Sequence, residues 1–212
     1  MTTNNKSTAI GPVRSSVLIL LGMLAVMWVE ELIDFLLPFW NLNQLGIKPR
    51  EVSGLLGIPL SPFLHSGAKH LYLNSVPFLV LGGVVMLGGL KTFVKVSIWV
   101  VLIGGLGVWV LGRSGTVHIG ASLLIFGYLG FLMSRGIFER SIRWLLVSLI
   151  ILLIYAGMLW GMLPGTPGIS WLGHLCGFLS GIAGAWLMFP KDGQLYGKKA
   201  GDSDPLRPSF KL

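Results

Sequence analysis

Four side chains in this chain are of a type and placement that could do chemistry together. Ser122 lies in Gly120-Ala121-Ser122, and His174 in Gly173-His174-Leu175-Cys176-Gly177. Each sits close to the start of a different apolar segment. A third apolar segment opens with His70 and Asn74. Polar groups are costly in hydrocarbon, so those that persist there usually have a function. A hydroxyl beside an imidazole is a nucleophile with its general base. An amide donor beside both could stabilise a developing oxyanion. The chemistry this implies is acyl transfer carried out inside a membrane.

The elements that must position these residues are apolar helices. The chain has 212 residues, of which 53% are hydrophobic and 11% charged. That balance excludes a soluble domain of this size and indicates an integral membrane protein. The net charge of +8 does not indicate nucleic acid, because most basic residues fall in short loops and tails beside apolar runs. The lone Cys176 has no partner for an intramolecular disulfide and reads as an inert buried thiol.

A spanning helix needs about 20 mostly apolar residues. Six segments qualify: 17–37, 70–90, 93–111, 117–133, 144–163 and 170–189. The runs are continuous rather than alternating, which argues against strands. The first run is too long for a signal peptide and no Ala-x-Ala site follows it, so it reads as a retained helix. The expected fold is an all-α polytopic membrane protein. A cytoplasmic tail over 1–14 and another over 191–212 flank a six-helix domain over 15–190. The connection 38–69 is long but carries Phe39, Trp40, Leu55, Leu56, Ile58, Leu60 and Phe63. It reads as short amphipathic pieces associated with the outer interface.

Charge orients the helices. With the N-terminus inside, twelve Lys and Arg lie on the inner side, against Lys48, Arg50, Lys69 and Arg113 outside. Both termini are therefore expected to be cytoplasmic, in a cell membrane. Helices two, four and six then all descend from the outer face. On these boundaries Asn74, Ser122 and His174 each lie roughly 6–8 Å below the start of their helix.

Glycines accompany both central residues. Gly120, Gly127 and Gly130 flank Ser122, while Gly173, Gly177, Gly181 and Gly184 form a stripe around His174. Small residues let helix backbones approach closely, so helix six can dock on helix four and bring imidazole to hydroxyl. The sequence after Ser122 is not the Gly-x-Ser-x-Gly elbow, because position 124 is Leu. Helices four and six contain no Asp or Glu; Glu30, Glu31, Asp34 and Glu51 lie in or beside the first loop. A Ser–His dyad is the simpler proposal. His70 and Asn74, four apart, share one helix face, and His65 lies five residues earlier.

The run Pro62-Phe63-Leu64-His65 followed by His70-Leu71-Tyr72-Leu73-Asn74 resembles the loop and second-helix signature of rhomboid intramembrane proteases. Gly120-Ala121-Ser122 resembles their Gly-x-Ser, and the run from Gly173 to Gly181 resembles their His-x-x-Gly-x-x-x-Gly last helix. Pro49-Arg50 also fits. The resemblance spans about 48 to 185. It implies a rhomboid-like bundle, with Ser122 as nucleophile and His174 as base. It implies His70, Asn74 and the Ser122 amide as oxyanion donors. Its substrates would be transmembrane segments of single-pass or other membrane proteins, cut near the outer face without metal or cofactor. Two positions depart from the family. Leu123 stands where a glycine is usual, and Phe126 stands where an aromatic, often Tyr, is common. Phe126 can stack on His174 but cannot donate a hydrogen bond, and both residues border the expected substrate site.

Two other readings compete. A catalytically silent relative that binds membrane clients would be expected to have lost the serine or histidine, and both are present. A metal site or transporter could use His65, His70, His118 and His174, all on the outer side. No carboxylate or thiolate joins them at ligand spacing. Finally, Pro164-Gly165-Thr166-Pro167-Gly168-Ile169 precedes helix six and is expected to act as a mobile cover over His174; the resemblance to rhomboids implies that helix five, alongside helix two, helps form a lateral gate.

Overall fold

The computed structural model describes residues 10–165 and 170–189. The expected cover falls partly outside these, at 166–169, as do the terminal segments 1–9 and 190–212. Among the described residues six helices are long and apolar enough to cross a membrane. They are α1 (Ile10–Leu36), α2 (Ala68–Met86), α3 (Leu90–Leu111), α4 (Ser122–Glu139), α5 (Ile142–Met162) and α6 (Trp171–Met188). Among the described residues there is no strand, only an isolated pairing of Ile47 with His118.

The bundle is organised around α4. Its span is 78% buried, whereas the other five are between 11% and 39% buried and turn most of their surface outward. Leu124, Ile125, Tyr128, Leu129, Phe131 and Leu132 are all fully enclosed. The Tyr128 hydroxyl shares a 2.7 Å hydrogen bond with Ser97 of α3, so its polar tip is satisfied in the core. At the far end Arg135 is caged, its guanidinium 3.5 Å from the Trp144 ring and 4.8 Å from that of Phe189. Its Nε donates to Glu139 at 2.6 Å.

The closest packing is between α4 and α6, and glycines permit it. A Cβ on Gly177 would strike the backbone carbonyl of Leu123, and one on Gly181 the carbonyl of Gly127. A Cβ on Gly130 would strike the Phe178 carbonyl. The stripe is not uniform in its partner. Gly184 faces the Trp99 ring of α3 rather than α4, and Gly127 makes room for Val100.

The long connection holds 3-10 turns at Pro38–Trp40, Leu42–Leu45 and Val52–Leu55 and a helical turn at Gly57–Leu60. Ile47, Ile58 and Leu64 are buried while Phe39, Val52 and Leu56 are exposed. These pieces are short and two-sided, as their composition suggests.

One boundary differs from the sequence reading in a way that matters. Helix four does not begin near 117. Residues 117–121 run as non-helical chain, and α4 starts at Ser122 itself. The reason is local. His118 exchanges both backbone hydrogen bonds with Ile47, at 2.9 and 3.0 Å, and Gly120 adopts φ +111°. A helix cannot pass through either feature. Ser122 is therefore brought to the site by a descending extended segment, not by depth along a helix. His174 is only the fourth residue of α6, so it too lies nearer its helix start than the sequence boundaries implied.

Candidate active site

Ser122 is positioned by the chain that precedes it. The Gly120 N–H donates to the Ser61 carbonyl at 2.8 Å. The Ala121 N–H donates to His65 Nε2 at 3.2 Å. Because Nε2 accepts, the proton of a neutral His65 must sit on Nδ1, which donates to the Phe63 carbonyl at 3.1 Å. His65 is fully buried, and that burial, with His70 alongside, pushes its pKa down to about 4. It is therefore neutral at pH 7, as both bonds require.

α2 brings His70 and Asn74 against the same segment. A Cβ on Gly120 would lie 2.8 Å from His70 Cε1 and 3.6 Å from Asn74 Nδ2. Glycine at 120 thus serves both the positive φ and the approach of these side chains. His70 Nδ1 pairs with the Ser66 hydroxyl at 3.2 Å. With the hydroxyl as donor, His70 carries its proton on Nε2, which lies beside Gly120. Asn74 is 8% exposed and its Nδ2 has no hydrogen-bond partner in the protein. A buried unpaired donor costs roughly 1–3 kcal/mol, so one kept beside a serine invites a functional explanation.

α6 contributes His174. Its Nδ1 lies 2.8 Å from the Gly161 carbonyl oxygen. A carbonyl only accepts, so Nδ1 bears the proton and a neutral ring keeps its lone pair on Nε2. Phe126 of α4 stacks on the imidazole with centroids 4.1 Å apart and planes 8° from parallel. The ring is thus fixed in tautomer and in plane. The outer acids serve other ends: Asp34 accepts from Leu42 N and Asn43 Nδ2, and Glu31 accepts from Gly67 N.

These groups share one cleft of about 600 Å³, lined by His70, Asn74, Ser122, Phe126, Met158 and His174 among others. Leu123 is not on its wall. Its backbone faces Gly177, and the residue lines a separate cavity of about 10 Å³ with Ile47, Val108 and Ser170. Three contributors were not singled out from sequence for the places they occupy: His65, Met158 and the Gly161 carbonyl. A backbone acceptor carries no sequence signal, although the glycine at 161 does, since a Cβ there would lie 3.2 Å from His174 Nδ1.

Residues 52–191 match the Rhomboid domain family. The chain belongs to the rhomboid family. It is 40% identical over 177 residues to uncharacterized proteins of Mycobacterium tuberculosis and Mycobacterium bovis, covering 80% of this chain and 73% of theirs. An uncharacterized Mycobacterium leprae protein is 37% identical over 195 residues, covering 88% of this chain and 77% of its own length. This rhomboid is therefore a multi-pass membrane protein of an intramembrane-protease family, with an all-helical bundle of six spans.

Proposed function

We propose that this rhomboid is a serine endopeptidase that cuts transmembrane segments near the outer face of the cell membrane, using a Ser122–His174 dyad. The observation that carries the reading is the convergence of Ser122, His174, His70 and Asn74 on one cleft of a spanning bundle. His174 Nε2 takes the Ser122 proton as Oγ attacks the scissile carbonyl carbon. The oxyanion accepts from Asn74 Nδ2, from His70 and from the Ser122 N–H, which begins a helix and has no partner within it. The imidazolium then protonates the leaving amine, leaving an ester on Ser122. Water, deprotonated by His174, hydrolyses the ester and frees the serine. The Gly161 carbonyl takes the orienting place that a carboxylate holds in a triad.

An intact helix hides its carbonyls, so substrates should carry Gly, Pro or small residues that weaken the helix near the cut. The test is incubation of the purified protein in detergent with a single-pass model substrate. Wild type should cleave it, and Ser122→Ala and His174→Ala should each lose at least about 10³-fold. Cleavage that survives Ser122→Ala in a verified preparation would sink the dyad. A folded wild type that binds but never cuts would favour a silent client-binding protein.

A further inference from the structure

His118 takes no part in the mechanism above, yet its two ring nitrogens close a hydrogen-bond chain between the elements that carry Ser122 and His174. The direction of every bond in it follows from the chemistry. Thr116 Oγ1 lies 2.6 Å from the Arg113 carbonyl, which only accepts, so the threonine proton goes there. Thr116 Oγ1 must then accept from His118 Nε2, at 3.1 Å, and Nε2 bears the ring proton. Nδ1 of the neutral ring is left as an acceptor, and it receives the Ser170 hydroxyl at 2.7 Å. The Ser170 oxygen in turn accepts from the Gly173 N–H at 3.3 Å, capping α6. The Ser170 carbonyl accepts the His174 N–H at 3.0 Å. The donors and acceptors match without a conflict.

We propose that His118 is a positioning residue, whose neutral ring ties the capped first turn of α6, with His174, to the extended segment that ends at Ser122. The proposal rests on the reading of Ser122 and His174 as the dyad. Two further observations support it. The backbone of His118 is itself fixed, by its paired bonds to Ile47, so the tie has a firm end. Burial holds the His118 pKa below the ordinary histidine range, which keeps the ring neutral at pH 7. His70 and His174 share the cleft with His118, and the two cavities it borders are lined by no Asp, Glu, Lys or Arg. The charged residues of its own segment and of the stretch paired with it are Arg113, Lys48, Arg50 and Glu51, and the Arg50 guanidinium donates to the Gly112 carbonyl and the Ser114 hydroxyl.

The experiment compares wild type, His118→Leu, His118→Gln, Ser170→Ala and the His118→Leu/Ser170→Ala double variant, purified in detergent with thermal melting as a check on folding. Leucine fills the space without polar atoms. Glutamine offers one acceptor and one N–H donor on a neutral side chain of similar reach. His118→Leu should lower kcat about tenfold or more with KM within about twofold, the pattern of misplaced catalytic groups. His118→Gln should recover to within about threefold of wild type. The double variant should be within about twofold of Ser170→Ala, because both changes cut one chain. Amide exchange in residues 171–175 should quicken in His118→Leu and not in His118→Gln.

A folded His118→Leu with wild-type kcat, multiplicative losses in the double variant, or a glutamine variant as impaired as leucine would overturn the proposal. Where His118→Leu does not fold, His118→Gln decides. Retained exchange protection and activity support the tie, and loss of both refutes it. The exchange measurement does not depend on catalysis. Failure of the dyad, seen as cleavage indifferent to Ser122→Ala, is therefore distinguishable from failure of the tie.

Discussion

A histidine that accepts a backbone N–H on one nitrogen loses that bond when it is protonated. His65 is in this position, with Ala121 N–H on Nε2 and Phe63 carbonyl on Nδ1. Its pKa falls from 6.5 to about 4 in the fold. Above pH 6.5 neither the folded nor the unfolded state binds this proton, and the contribution to stability is complete. As pH drops, the unfolded chain is protonated first, so stability is lost between 6.5 and 4 and levels off below. The full loss is about 3 kcal/mol. Melting temperature in detergent should therefore fall over that window. His65→Met should melt lower at pH 7 and show a shallower decline. An unchanged slope in the variant would show that His65 does not supply it. Sequence marked His65 by its place in the Pro62-Phe63-Leu64-His65 run and its distance from His70, but gave it no role at the nucleophile's segment. Nothing in residue type distinguishes a histidine that braces the nucleophile's segment from one that touches substrate.

Among the elements, the pairing of α4 with α6 was legible because its cause is compositional. Glycines at 127, 130, 177 and 181 recur at helical spacing, and close approach is what such spacing permits. The start of α4 was not legible. Residues 117–121 are as apolar as a helix, and pairing with the distant Ile47, Ser61 and His65 draws them out of one. Long-range pairing overrides local preference and leaves no local trace, apart from Gly120. The glycines themselves allow a graded test. At Gly181 a Cβ would meet backbone on two sides, the Gly127 carbonyl and Phe131 N at 2.8 Å, and backbone cannot swing away as a side chain can. At Gly83 of α2 a Cβ would meet nothing within 4 Å. Gly181→Ala should destabilise by about 1–3 kcal/mol or more and cut activity, since α6 carries His174. Gly83→Ala should be neutral or gain up to about 1 kcal/mol in helix propensity. Equal melting temperatures for the two variants would show that the α4–α6 contact is looser than its geometry implies.

At the scale of the whole molecule, function depends on which face the cleft opens to, and charge bears on that directly. The six spans of the described residues place the N-terminal end of α1 and the C-terminal end of α6 on one side. The described segments between helices then fall into two groups: 37–67, 112–121, 163–165 and 170 on one face, and 87–89 and 140–141 on the other. The first group holds the site. Arg50 ties its longest loop to the α3–α4 segment, donating to the Gly112 carbonyl at 2.8 Å and to Ser114 at 2.9 Å. The second group is short and flanked by Lys91, Lys95, Arg135, Arg140 and Arg143, the pattern retained on the cytoplasmic side. The prediction is that the cleft faces outward and both tails lie in the cytoplasm. The only cysteine, Cys176, is buried, so a Cys176→Ala background lets single probes be read cleanly. Arg113 and Arg143 are both exposed, one on each face. In intact cells a membrane-impermeant maleimide should modify Arg113→Cys and leave Arg143→Cys untouched, and inverted vesicles should reverse this. Each substitution removes one charge from a twelve-to-four bias, too little to turn the molecule over. Labelling of Arg143→Cys from outside would invert the topology and move any cleavage to the cytoplasmic side, whatever the cleft can do.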